Sequence, residues 1–200
     1  MSDKVALRRT MQALRAACPD RSGRDTLLLC NVLSSPLYRE AENVLSYVSF
    51  GSEASTWGLL RQALADGKAL FVPRCRAKEN RMDFYRIDTV DALTPGMHGI
   101  LEPPAIPEHL FTCGKKTLCI LPGLAFSSRG DRLGYGKGYY DTFLQATPVY
   151  TVGFCYAFQV LDAIPTEPHD IPVSSICTDA GWYGEHADPL QEKGWLTTYE

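Results

Sequence analysis

The sequence predicts a three-layer α/β domain built on an open, mostly parallel sheet. Three observations carry that prediction. Helical and strand periodicities alternate along the chain. Thr117-Leu-Cys-Ile-Leu121 is a short, continuous apolar run of the kind found in a central parallel strand. That run leads through a glycine-rich loop into the next helical pattern, an order that puts a site outside the carboxyl ends of the strands.

The elements follow in order. Ser2 to about Ala17 has the pattern of an amphipathic helix, with Val5, Leu7, Met11 and Leu14 among its apolar positions. Ser22-Gly-Arg-Asp25 resembles a capping box that opens a second helix through Leu33. Val44 to Phe50 is rich in β-formers. Thr56 is placed to cap a helix through Ala65, which Asp66-Gly67 ends before a strand from Ala69 to Val72. Met82 to Ile87 is a further strand. Pro95 to Pro107 is a Pro/Gly-rich traversing loop rather than a linker. After the central strand come a helix from Gly138 to about Gln145 and a strand from Val149 to Phe154. The polar stretch from Gly184 to Glu200, with Trp195 and Tyr199, is expected to be a loosely docked tail on a single domain of residues 1–200.

Composition fits a compact enzyme-sized domain but does not identify one. At 200 residues the chain is long enough for a substantial core. Its 20 Lys and Arg against 23 Asp and Glu give a net charge of −3, which argues against a nucleic-acid platform. Attraction for phosphate must then be local. The 7 cysteines are odd in number and form no C-x-x-C pair, so reduced thiols are expected. Cys155 sits in an apolar strand pattern and is expected in the core rather than as a nucleophile. The four histidines are dispersed and show no zinc-type spacing. No apolar run reaches the length of a membrane span. The N-terminus lacks a signal-peptide apolar region and carries Asp3, so a cytoplasmic location is expected, with the mitochondrion left open.

The segment from Leu121 to Asp141 holds the chemistry. Gly130, Gly134, Gly136 and Gly138 let the backbone turn its N–H groups toward one point, Arg132 and Lys137 add full charge, and the helix that follows aims its positive end there. Asp141, in the first turn, is placed to hold a cation beside an anion. Neither standard phosphate loop fits. A Walker loop encloses four residues before Gly-Lys and follows with Ser or Thr; here Gly130 to Gly136 encloses five and Gly138 follows. Gly134-Tyr-Gly-Lys-Gly138 is also not the G-x-G-x-x-G dinucleotide pattern. A purely structural glycine turn is the competing reading, and the converging charges weigh against it.

The whole run resembles the signature of the 5-formyltetrahydrofolate cyclo-ligase family, also called 5,10-methenyltetrahydrofolate synthetase. Gly123 through Asp141 follows its pattern, with Ser127 where the family usually has Asp. Lys4 and Arg8, Ser49 to Thr56, Phe71 to Arg74, Met82 to Ile87, Gly99 to Pro103 and His169 to Pro172 resemble further family segments in the same order. The resemblance implies a Rossmann-like fold akin to the glucosamine-phosphate deaminase and ribose-phosphate isomerase group. It also implies a monomer that uses ATP and Mg²⁺ to cyclise 5-formyltetrahydrofolate, polyglutamylated or not.

The residue roles are likewise what the resemblance implies. Lys4, Arg8 and the loop residues Arg132, Leu133, Gly134, Tyr135, Gly136, Lys137, Gly138, Tyr139 and Tyr140 would bind ATP, with Arg132 and Lys137 stabilising the transferring phosphoryl group. Val48 and Glu53 would hold the folate, Glu53 at its pterin end, with Tyr47 and Phe50 as further pocket walls. Tyr135 to Tyr139 would border the formyl group. Asp141 and Asp170 would bind Mg²⁺. The chemistry is coherent: an N-formyl oxygen becomes a leaving group once phosphorylated, and phosphoryl transfer needs alignment and charge neutralisation more than a covalent protein group. Two alternatives stand beside it. A sugar-phosphate enzyme of the same fold group would not need Lys4, Arg8 or a metal pair, and a non-catalytic folate or nucleotide binder would not need Lys137 or Asp141.

Overall fold

The computed structural model describes residues 3–76, 79, 81–113 and 116–184. The strands are β1 (Asn43–Ser46), β2 (Ala69–Arg76), β3 (Arg81–Ile87), β4 (Thr94–Pro95), β5 (Leu101–Glu102), β6 (Thr117–Leu121), β7 (Ala125–Ser127), β8 (Arg132–Leu133), β9 (Tyr150–Phe154), β10 (Val160–Leu161), β11 (Ser175–Thr178) and β12 (Gly181–Gly184). A 7-stranded sheet runs β12-β11-β9-β6-β1-β2-β3, so the apolar run at Thr117–Leu121 is the middle strand. Its five inner strands pair in parallel, and the antiparallel partners β3 and β12 close the two edges. The polar segment after Gly184 lies outside the described residues.

The pleat sorts side chains onto two faces. Val44, Leu118, Ile120, Val152 and Phe154 enter one cluster with Leu28, Val32, Leu37, Leu59 and Leu60. These come from the helices α2 (Arg21–Ser34), α3 (Pro36–Glu40) and α4 (Trp57–Ala65). The alternate residues Leu45, Cys119, Leu121 and Ile176 enter the second cluster with Leu144 of α5 (Tyr139–Ala146). A strand buried on both faces reads as a near-continuous apolar run, and β6, buried at every position, is apolar from Leu118 to Leu121. Cys155 is fully buried in the second cluster, as its strand pattern predicts, and burial pushes its thiol far above the ordinary range.

Several element boundaries differ from expectation, each for a local reason. The second helix is capped by Asp20 rather than Ser22; the Asp20 carboxylate accepts from Gly23 N–H at 3.2 Å. A side chain at Gly23 would strike that carboxylate, at 2.4 Å. The first strand stops at Ser46 because the chain folds back on itself. Ser49 N–H donates to Thr56 Oγ1, Thr56 N–H to Ser49 Oγ, and Thr56 Oγ1 donates to the Tyr47 carbonyl at 2.8 Å. Thr56 therefore makes no side-chain cap to α4. The next strand runs past Pro73 to Arg76, since pairing with β1 ends at Phe71 and the missing N–H has no ladder to break. The expected traversing loop holds the small β4–β5 hairpin. Strands β11 and β12 were not anticipated.

Strands β7 and β8 of the glycine-rich segment join β10 in a 3-stranded sheet of order β10-β7-β8. Phe126 on β7 is fully buried, its ring held between two glycines. A Cβ at Gly123 would lie 2.6 Å from one edge of that ring, and a Cβ at Gly153 on β9 would lie 2.5 Å from the other. The ring thus docks the small sheet onto the large one by filling space that only glycine leaves. Gly153→Ala should cost about 1–3 kcal/mol by overpacking, lowering the melting temperature by roughly 3–10 °C. In a Phe126→Leu background the same substitution should cost much less. Equal costs in thermal melts of the two backgrounds would refute the docking role of this contact.

Candidate active site

The first helix, α1 (Asp3–Ala16), turns an unexpected face inward. Val5 and Leu14, apolar in the sequence pattern, are 45% and 51% exposed. Leu7 and Met11 instead pack on Leu124, Ala125, Leu133 and Ile164, against the small sheet. That docking carries the same side of the helix, bearing Lys4, Arg8 and Arg15, onto the carboxyl-end loops. Lys4 Nζ meets Asp170 Oδ2 at 2.8 Å and Glu167 Oε2 at 3.4 Å. Arg8 Nε donates to the Gly134 carbonyl at 2.9 Å. A Cβ at Gly136 would lie 3.1 Å from the Arg8 guanidinium, so glycine is what allows this close approach.

The glycine loop is fixed at its start by Ser127. Its hydroxyl accepts from the Arg129 and Asp131 N–H groups and donates to Asp131 Oδ2 at 2.6 Å. Serine thus supplies the acceptor of a tight turn, while a carboxylate stands four residues later. Gly130, Gly136 and Gly138 have positive φ; Gly134, contrary to expectation, does not. Gly138 is the N-cap of α5 at φ 69°, so the helix starts one residue after the last glycine.

Arg132 and Asp141 of this loop are already engaged. The Arg132 side chain is only 6% exposed, bonds Asp141 Oδ1 at 3.0 Å and lies 5.4 Å from the centroid of the Tyr140 ring. Its Nε is buried without a partner. Asp141 Oδ1 also accepts from Ile171 N–H at 3.3 Å, which puts Asp170, one residue earlier, beside the same region. Burial works to raise the Asp170 carboxyl, but the Lys4 hydrogen bond, the Glu167 N–H and the Lys4 and His169 charges outweigh it and hold it below its ordinary value. Glu167, His169 and Asp170 bring ligand atoms within 4.8 Å of one another. Lys137 is exposed and enters no ion pair among the described residues.

The residues expected at the folate end are distributed differently. Tyr47 and Val48 are buried in the first core cluster, whereas Phe50 is exposed. Glu53 Oε2 accepts from Phe50 N–H at 3.0 Å, and Arg21 donates to the Glu53 carbonyl at 2.9 Å. Burial pushes the Glu53 carboxyl up, against the Phe50 N–H and the Arg15 charge. Beside Glu53 opens a groove of about 680 Å³ whose lining includes Arg21, Asp25, Ser49, Ser55 and Trp57. That is a size suited to a small-molecule ligand.

Sequence reasoning missed Arg15 and Arg21. For Arg15 a signal was present, because it stands two helical turns after Arg8 and so shares its face. Arg21 carried none, as only folding brings it to the Glu53 loop.

These features define an α/β protein with a cation-lined, glycine-rich loop at one side and a carboxylate-bearing groove at the other. A family model described as 5-formyltetrahydrofolate cyclo-ligase matches residues 1–179, and the chain belongs to that family. It is 31% identical over 177 residues to the mouse 5-formyltetrahydrofolate cyclo-ligase, covering 82% of this chain and 87% of the relative. It is 30% identical over 206 residues to the mitochondrial cyclo-ligase of Arabidopsis thaliana, covering 89% and 74%. The solved structure of Aquifex aeolicus 5,10-methenyltetrahydrofolate synthetase superimposes with a TM-score of 0.77 at 27% identity, covering 99% of this chain and 100% of that one. No helix of the described residues is long and apolar enough to cross a membrane.

Two expectations follow for this site. Adding a carboxylate at Ser127 would oppose that of Asp131, so Ser127→Asp should lower the melting temperature, and Ser127→Asp/Asp131→Asn should recover most of the loss. Failure of the pair to recover would mean that turn geometry, not charge, governs the position. For Glu53, the raised value means that folding favours the protonated form, so its ionisation at neutral pH weakens the fold. Glu53→Gln should therefore melt at or above wild type at pH 7, the advantage vanishing as pH falls below about 4.3, where glutamate is protonated in both states. A lower melting point at pH 7 would contradict this.

Proposed function

We propose that this chain catalyses the ATP- and Mg²⁺-dependent cyclisation of 5-formyltetrahydrofolate to 5,10-methenyltetrahydrofolate, releasing ADP and phosphate through a phosphorylated formyl intermediate. The observation that carries the reading is the convergence of Lys4, Arg8, Arg132 and the glycine loop on the side of Asp141 and Asp170. Membership of the family supports it, as do relatives named for this activity. The fold's kinship with the glucosamine-phosphate deaminase and ribose-phosphate isomerase group, action as a monomer, acceptance of polyglutamylated folate and a cytoplasmic or mitochondrial location belong to the same proposal.

The residues present fit both charged partners. The buried, unpartnered Arg132 Nε and the open approach over Gly136 suit a phosphate group. Asp141 and Asp170 each engage one oxygen in the hydrogen bonds described, leaving the other for a metal ion that prefers one or two carboxylates with water and phosphate oxygens. Mg²⁺ bound there would neutralise charge on the phosphates. Lys4 and Arg8 would align the nucleotide from α1. Arg132 and exposed Lys137 would stabilise the equatorial oxygens of the transferring group. Glu53 would accept N–H groups of the pterin and hold the ring so that N10 faces the formyl carbon. With the formyl oxygen phosphorylated, N10 attacks that carbon and closes the five-membered ring, and phosphate departs with the N10 proton to leave the methenyl cation.

Incubating the protein with Mg-ATP and 5-formyltetrahydrofolate and following the absorbance of the methenyl product tests the reading directly. No product would refute it, and turnover of a sugar phosphate without ATP would favour the alternative enzyme. On this assay Lys137→Ala should lower kcat about tenfold to a hundredfold. Asp170→Asn takes one charge from a pair whose side chains are only 13% and 20% exposed, so its melting temperature should fall. Its Mg²⁺ requirement should rise, and excess Mg²⁺ should recover part of the rate. Unchanged Mg²⁺ dependence would return Asp170 to a purely structural role.

A further inference from the structure

Arg15 is 3% exposed, yet its recorded hydrogen bonds reach only neutral oxygens. Its Nε donates to Ser52 Oγ at 3.0 Å, one terminal nitrogen to the Gly123 carbonyl at 3.3 Å, and the other to the Tyr135 hydroxyl. The guanidinium carbon also lies 5.8 Å from the centroid of the Tyr135 ring. A buried cation with no anion in hydrogen-bond contact is costly unless its donors are satisfied, and three such bonds leave two of its five N–H groups unused.

The three partners come from three separate places. Ser52 precedes Glu53 in the loop after β1, Gly123 follows β6 at the centre of the sheet, and Tyr135 stands inside the glycine loop. Tyr135 is itself half exposed, so its ring is not held by burial. Its hydroxyl is held by Arg15. The half-exposed ring stands at the junction of the two loops, where it is open to a ligand.

We propose that Arg15 is a positioning residue that ties the folate-holding loop to the phosphate loop, through Ser52 on one side and Tyr135 on the other. This rests on the cyclo-ligase reading, in which one substrate spans both loops with its pterin at Glu53 and its formyl group at Tyr135 to Tyr139. Arg15 fixes the distance between them, so that the formyl oxygen is presented to the phosphoryl donor when the pterin is seated. Lys4 and Arg8 hold their own partners independently of this bridge. Loss of Arg15 should therefore spare the use of ATP and damage the use of folate.

A double-mutant cycle tests the bridge. Arg15→Met and Tyr135→Phe should each lower kcat/KM for 5-formyltetrahydrofolate about tenfold, and in Arg15→Met the KM for ATP should stay within about threefold of wild type. Because both substitutions break the same link, the double variant should fall within about twofold of Arg15→Met rather than about a hundredfold below wild type. Multiplying effects overturn the proposal, as does a variant that melts lower but keeps wild-type kcat/KM. Tyr135→Phe removes one hydroxyl from an exposed ring and so carries the test even where Arg15→Met does not fold; wild-type kinetics in that variant overturn the bridge. An inactive wild-type protein overturns the cyclo-ligase reading itself, whereas an active wild type with independent effects overturns only the role of Arg15.

Discussion

The need to surround the inward cations of the first helix with oxygen governs much of this structure. Leu7 and Met11 anchor α1 on the small sheet, and the 3.6-residue period then delivers Lys4, Arg8 and Arg15 to the same side. The cations find different oxygens: Lys4 the Asp170 carboxylate, Arg8 the Gly134 carbonyl, and Arg15 the Ser52 and Tyr135 hydroxyls with the Gly123 carbonyl. Those partners lie on segments far apart in the chain. Satisfying one helix face thus gathers the loops into one site.

The resulting site is largely neutralised from within. Lys4 pairs with Asp170, and Arg132 pairs with Asp141. In the proposed reaction these pairs would exchange partners, the cations turning toward phosphate and the carboxylates toward metal. Lys137 differs, being exposed and outside any of these pairs. That suits a cation meant for a group present only during turnover.

Glycine supplies the complementary space. Gly136 admits the Arg8 guanidinium, Gly138 turns the chain into α5, and Gly123 and Gly153 receive the Phe126 ring that seats the small sheet on the large one. Ser127 shows how the same turn is built with different chemistry. Its hydroxyl accepts the two N–H groups of the turn, and Asp131 completes the network across it.

Much of this was legible in the sequence. The fully buried β6, the start of α5 and the glycine-rich run all depend on local pattern, and a strand covered on both faces or a turn at positive φ leaves a mark on neighbouring residues. The inward face of α1 was not legible. Val5 and Leu14 match the apolar period as well as Leu7 and Met11 do, and only contact with the small sheet decides which pair is buried. The strand after Asn43 likewise stops at Ser46 because Ser49 and Thr56 bond across a bend, which β-propensity does not report. The sequence alone determined the alternating α/β plan, the central strand and the residue types of an anion site, because these are properties of neighbours in the chain. Tertiary structure alone decided which cation meets which oxygen, the pairing of Arg132 with Asp141 and the burial of Arg15, because those contacts join segments whose meeting no local period encodes.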